Sequence, residues 1–207
     1  MPAEFFPSHD PELDAYATSP RRDIDVLFVG GYSRHHQNRR YILDAVARLS
    51  GRLNIVFHLD NSRYTKLAET PLGWFGPLAA VRRSAAIRRV AVPSVAGRAM
   101  YEQLGRAKIV INAAVDMAGP DRGNMRCFEA MGAGAMLLTD AGNYPTGMNE
   151  GETMRVYGDV SEVPRLVDWG LQESNAQELG IRGSEMVRVR YSRRKQLENF
   201  VRIVKNL

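Results

Sequence analysis

The chain has 207 residues, 44% of them hydrophobic and 25% charged, an ordinary globular balance with enough length for one sizeable core. No run reaches the roughly 18 uninterrupted apolar residues of a membrane span, and the opening MPAEFFPSHDPELD lacks a basic region followed by an apolar run. A soluble, unsecreted, cytoplasmic chain is expected. The formal net charge of +5 points to an anionic partner but does not choose among phosphate ligands, nucleic acid and a membrane surface. Its basic residues fall in three separate clusters, at 34–40, 82–89 and 182–195, whereas a nucleic-acid stripe is more continuous and interleaved with aromatics. Nucleic acid is the weaker expectation.

Residues 1–23, with prolines at 2, 7, 11 and 20, are expected as an extended arm or linker. IDVLFVGG (24–31) is a near-continuous apolar run ending in two glycines, the pattern of a strand buried on both faces of a parallel sheet. In NRRYILDAVARL the apolar residues Tyr41, Ile42, Ala45, Val46 and Leu49 recur at helical spacing, with Asn38 as the expected cap. LNIVFHLD (53–60) reads as a second strand. Residues 61–86, broken by Pro71, Gly73, Gly76 and Pro77, read as loop and short helices.

VAVPS (90–94) is a short strand, GRAMYEQLGRA a helix and KIVINAA a buried strand. The alternation continues through NMRCFEAMGAG, AMLLTDA, a short MRVYGD strand and a helix capped by Ser161. It predicts an α/β fold, a single Rossmann-like domain over 24–207 with a parallel sheet covered by helices on both faces. The last fifty residues are expected to be helical, broken near 180–183, with Leu197, Phe200, Val201 and Val204 of the final segment packed on the chain's own sheet.

Ligands of such sheets bind beyond the carboxyl ends of the strands, and one segment there carries chemistry. DRGNMRCFEAMGAGAMLLTD (121–140) places a glycine-containing loop, a helix, a small-residue turn and a buried strand in succession. The helix start at Asn124 and Met125 offers unpaired N–H groups and a positive dipole end to a phosphate. Gly123 lets the phosphate approach the backbone, and Arg126 can add a bidentate cation or pair with a neighbouring acid. Glu129 is a carboxylate on a mostly apolar helix, costly without a partner, and suited to two adjacent ribose hydroxyls.

Gly30 and Gly31 fall on the first strand-to-helix turn, where a sharp turn is expected, and Arg34 after them can neutralise a diphosphate. Arg39 and Arg40 read as a solvated helix start, and His35 and His36 as exposed loop residues. Pro93, Ser94 and Val95, and Asp60 and Asn61, are positional candidates beyond their strands, while Trp74 and Phe75, in the glycine- and proline-broken region, fill a core gap or stack on a base or sugar. Cys127, alone of its kind, reads as a small buried side chain. The four histidines lack the companions of a zinc site, so no protein-held metal and no cofactor is expected.

The segment resembles the signature of glycosyltransferases built from two Rossmann-like domains, the GT-B type, in which two acids seven residues apart precede a run like EAMAxGxPVVxT. Here Asp121 and Glu129 have that separation and EAMGAGAMLLTD follows. NMRCFEAMGAGAMLLTD is similar in particular to the branch related to the spore-maturation protein CgeB, with its N-x-R-x-F-E motif and LLTD strand.

The resemblance implies the donor-binding half of a metal-independent glycosyltransferase. A nucleoside diphosphate sugar would be its substrate, with Glu129 on the ribose, residues 124–126 on the diphosphate, the base near Ser94, and Asp121 facing the sugar. Relatives carry glutamate more often at the position of Asp121, a side chain longer by one methylene. The resemblance also implies a cleft between two domains, of which 207 residues supply one; an acceptor domain, a partner subunit or a homodimer would supply the other. A non-catalytic nucleotide-sugar module is the competing expectation.

Overall fold

The computed structural model describes residues 7–19, 21–32, 37–60, 63–74, 82–113 and 119–205. Six strands form one parallel sheet in the order β3-β2-β1-β4-β5-β6. They are β1 (Ile24–Gly30), β2 (Ile55–Leu59), β3 (Ala91–Pro93), β4 (Ala107–Ile111), β5 (Met136–Asp140) and β6 (Arg155–Tyr157). The chain winds outward from β1 to β3 and then returns to lay β4 on the other side of β1. The order therefore reverses between β1 and β4, which places a crevice at their carboxyl ends.

Both faces of β1 are buried, which explains its unbroken apolar run. Val26 and Phe28 join a core with Ile42, Leu43 and Val46 of α2 (Gln37–Ala47), Ile87 of α4 (Ala85–Val90) and Leu166 of α7 (Val163–Leu171). Leu27 and Val29 join the opposite core with Leu104 of α5 (Gly97–Arg106), Phe128 and Met131 of α6 (Met125–Gly132) and Val187 of α8 (Asn175–Arg190). The expected helix-covered parallel sheet is what the chain forms.

Local readings differ in five places. The opening segment carries a 3-10 turn (Pro11–Leu13) and a one-turn helix, α1 (Asp14–Ala17), and buries Leu13 and His9 against the domain. Proline at the first position of a turn favours that start where an extended arm was expected. Asn38 lies inside α2, which begins at Gln37. Ser161 is not the cap before α7: Asp159 accepts from its N–H at 2.8 Å, and a capping box with Glu162 opens a 3-10 turn there.

Gly180 and Gly183 do not break α8, which runs through both. A Cβ at Gly180 would meet the carbonyl oxygen of Gly134 at 2.1 Å, so this glycine lets a helix and a turn touch backbone to backbone. The last helix, α9 (Arg193–Lys205), buries no residue. Leu197, Phe200, Val201 and Val204 are 63%, 51%, 39% and 53% exposed, so the stripe does not pack on the sheet as expected. Between α2 and α4, the structure describes α3 (Arg63–Ala68) and a 3-10 turn (Pro71–Trp74), the short pieces expected there.

Candidate functional site

The switch point is closed by one arginine. Arg39, in the first turn of α2, donates to the carbonyl oxygen of Gly31 after β1 (3.1 Å) and twice to that of Ala113 after β4 (3.1 and 2.7 Å). Its guanidinium also lies 5.8 Å from the Phe28 ring centroid. It is therefore not the solvated helix-start residue expected, but a clamp that holds the two strand ends of the crevice together.

A second set of bonds fixes the helix beside it. Asn112, 4% exposed just past β4, donates to Thr139 Oγ1 at 3.1 Å and accepts from the Asn124 side chain at 3.2 Å. Asn124 is the N-cap residue of α6, and because its amide turns toward Asn112 it makes no side-chain cap. In the first turn of α6, Cys127 N–H donates to the Asn124 carbonyl oxygen at 2.9 Å, which leaves the N–H groups of Met125 and Arg126, without a side-chain cap, at the electropositive helix end. Gly123, buried just before, has φ +92°, and a Cβ there would sit 2.4 Å from Pro145. Only glycine fits this left-handed, crowded approach to the helix.

Beneath lies a polar lattice around β5. Tyr144 Oη donates to the Asp140 carbonyl oxygen at 2.6 Å and lies 2.7 Å from Thr139 Oγ1, while Tyr157 Oη donates to the Asn112 carbonyl oxygen at 2.9 Å. Arg122 Nε donates to Asp140 Oδ2 at 2.5 Å. Burial pushes the phenols of Tyr144 and Tyr157 up, so both stay neutral donors. Asn112, Arg122, Thr139 and Tyr144 were not singled out in the sequence. An asparagine ending an apolar strand, in KIVIN, is the one local sign of them.

Arg126 and Glu129 face each other one turn apart on α6, Nη1 to Oε2 at 2.7 Å, with side chains 22% and 17% exposed. Desolvation raises the Glu129 pKa above the ordinary carboxylate value, with Arg126 opposing it in part. Glu129 borders a hollow of about 170 Å³ walled by His9, Asp10, Tyr101, Phe128 and Arg193. Tyr101 Oη donates to Asp10 at 3.3 Å, which ties the opening segment to this wall. Another hollow of about 270 Å³, lined by Arg122, Asp140, Tyr157 and Asp159, lies past β4, β5 and β6. Each is below the ~300 Å³ of ordinary small-molecule sites, so neither alone encloses a nucleoside diphosphate.

The other expected residues divide. Gly30 ends β1 at the crevice and Gly31 follows it, but neither takes a positive φ; a Cβ at Gly30 would lie 3.0 Å from the Phe28 ring, so the constraint there is space, not a sharp turn. Met125 is 45% exposed at the α6 start. Asp121 is exposed, and its carboxylate accepts from Asn143 at 3.2 Å, bracing two loops. Ser94 is exposed past β3, separated from β1 by β2 in the sheet.

Arg34, His35, His36, Asn61 and Phe75 lie outside the described residues, as does the Trp74 side chain. Arg40 donates to Tyr32 Oη at 3.1 Å. Cys127 is fully buried, its thiol pushed up to about 12 by desolvation, as a packing residue should be. Among the described residues no cluster of three metal-ligating side chains occurs, and no helix is long and apolar enough to cross a membrane.

Solved structures share this architecture. HepE of Anabaena in complex with UDP and glucose matches with TM-score 0.68 and 12% identity, over 94% of this chain and 55% of that one. A glycosyltransferase from Rickettsia africae matches with TM-score 0.62 and 13% identity, over 89% and 48%. The C-terminal domain of the glycosyl transferase group 1 family protein LpcC from Francisella tularensis matches with TM-score 0.57 and 13% identity, over 93% and 95%. The chain thus has the fold of one Rossmann-like half of a GT-B glycosyltransferase and spans about half the length of the first two. No curated protein matches it in sequence. The profile of the glycosyl transferase-like family aligns with residues 34–202, well over half of the sequence, and the chain belongs to that family.

Proposed function

We propose that this chain binds a nucleoside diphosphate sugar at the carboxyl ends of β1 and β4 and serves as the donor half of a glycosyltransferase, in the CgeB-like branch suggested by its N-x-R-x-F-E motif. The observation that carries the reading is the uncapped amino end of α6 at the switch point, with the Glu129 carboxylate one turn along the same helix. A diphosphate there meets first-turn N–H groups and the helix dipole, which need no reorganisation as charge builds on the leaving group. Arg126 and Arg34 add cationic charge. Glu129 accepts from the ribose hydroxyls. Asp121, engaged by Asn143, is the weakest member and faces the sugar only if that bond opens. No step requires a metal.

The HepE structures hold UDP or UDP-glucose, which supports a nucleotide-sugar donor. Acceptor binding and any general base fall to a second domain, a partner subunit or a second copy. A non-catalytic donor-binding module is the second reading, favoured by Arg126 being already engaged by Glu129. A thermal-shift panel of UDP, GDP, dTDP and their sugars separates these readings from a chain with no nucleotide site. A ligand at a hundred times its Kd stabilises by about 2.7 kcal/mol, so at least one member should raise Tm clearly; a flat panel removes both. Slow hydrolysis of the bound sugar nucleotide supports the transferase, and binding without turnover under any partner condition supports the module.

A further inference from the structure

An ordinary surface helix turns its apolar side to the core and its polar side to water, and α9 does the reverse. Its half-buried residues are Gln196, Asn199 and Ile203, continued by Ser192 just before the helix. At about 100° per residue, this side is turned roughly 120° from the line of Leu197, Phe200, Val201 and Val204, all four of which are exposed. Phe200 has a contact of its own within the chain and is exposed all the same. The helix therefore rests on a mostly polar side and presents its apolar stripe outward.

Basic residues occupy the flank beyond the stripe. α9 carries Arg193, Arg194, Lys195, Arg202 and Lys205 against one acid, Glu198. Arg193 pairs with Asp10 at 3.4 Å and Arg194 with Glu198 at 2.9 Å. Lys195, Arg202 and Lys205 are exposed, and none of the three forms an ion pair with a described residue. Five basic residues less the two acids, Asp10 and Glu198, leave an excess of three positive charges on the helix.

We propose that α9 docks this chain on a bilayer surface containing anionic lipids, with the stripe entering the interface and Lys195, Arg202 and Lys205 meeting the headgroups. Its 13 residues fall short of the ~20 of a membrane span, so the helix lies along the surface. Size and charge favour a bilayer over a protein. A helix about 20 Å long and about 10 Å wide offers on the order of 200 Å², against the ~800 Å² per partner of a stable protein interface. A second copy would also bring the same excess of cations to the stripe, which repels. A bilayer requires no complementary shape, and anionic headgroups match the charge. The docking does not rest on the donor-site reading.

Flotation of the full chain with vesicles of phosphatidylcholine alone, and of phosphatidylcholine mixed with phosphatidylglycerol, tests this. The chain should partition onto the mixed vesicles at least about tenfold better than onto the neutral ones, and added salt should weaken the binding. The variant Leu197→Gln, Val204→Gln removes apolar contact, and Lys195→Gln, Arg202→Gln, Lys205→Gln removes charge. Because α9 buries no residue, both should keep the wild-type Tm. The first should lose at least about tenfold in partitioning. The second should lose on the order of a hundredfold on the mixed vesicles, at about fivefold per cation. No binding to the mixed vesicles, equal partitioning onto both kinds, or wild-type partitioning by either variant would each overturn the proposal. So would a wild-type dimer in sedimentation that the Leu197→Gln, Val204→Gln variant dissociates, since the stripe would then be covered by a second copy. Vesicle binding is measured without nucleotide and the thermal-shift panel without lipid, so either reading fails alone.

Discussion

Glu129 sits where the surrounding apolar atoms disfavour its charge and where Arg126 compensates in part. Its folded-state pKa lies above the ordinary value, so below the unfolded value the folded chain keeps a stabilising contribution, and this is lost as pH rises through the folded value. Glu129→Gln is neutral at every pH and still accepts from Arg126. Its Tm relative to wild type should therefore rise as pH increases above the ordinary carboxylate value of 4.5, and a difference that stays flat with pH would show a carboxylate without desolvation.

Asn112 poses the opposite case, a buried amide whose partners are all in place. Asn112→Ala should cost about 2 kcal/mol in chemical denaturation, since it strands polar groups at the α6 start; a loss below about 0.5 kcal/mol would mean that Asn124 and Thr139 find other partners. Glu129 was legible in sequence because a charge on an apolar helix stands out. Asn112 was not, because its bonds reach Thr139 and Asn124 through the sheet, a relation that no local spacing encodes.

Elements were read from periodicity more securely than from their ends. The buried strands announce themselves by unbroken apolar runs, as β1 and β4 do, and their parallel pairing follows from the alternation with helices. Ends and breaks depend on contacts that are remote in sequence. Gly180 looked like a helix breaker because glycine is a weak helix former, yet α8 continues through it to touch Gly134. Gly180→Ala improves helix propensity and should nonetheless destabilise the chain by about 2 kcal/mol or more, because the clash is with backbone. A rise in Tm would mean that α8 does not rest on that turn. Arg39 was misread for the same reason: its partners at Gly31 and Ala113 belong to strands that only the fold brings together. The apolar stripe of α9, periodic in sequence, stays uncovered in this chain.

At the scale of the molecule, a doubly wound sheet places the carboxyl ends of β1 and β4 and the amino end of α6 around a single crevice. The sequence motif located the α6 part of that crevice; the clamp by Arg39 emerges only from the tertiary arrangement. The proposed donor site requires that this crevice hold a nucleoside diphosphate through α6. Calorimetric titration of UDP, GDP and dTDP into the wild type and into Glu129→Ala tests it most directly. Saturable binding of at least one diphosphate to the wild type, weakened by about tenfold or more in Glu129→Ala as expected for lost hydrogen bonds to a charged group, is the predicted result. Absence of binding by all three, or equal affinity in both proteins, would contradict it.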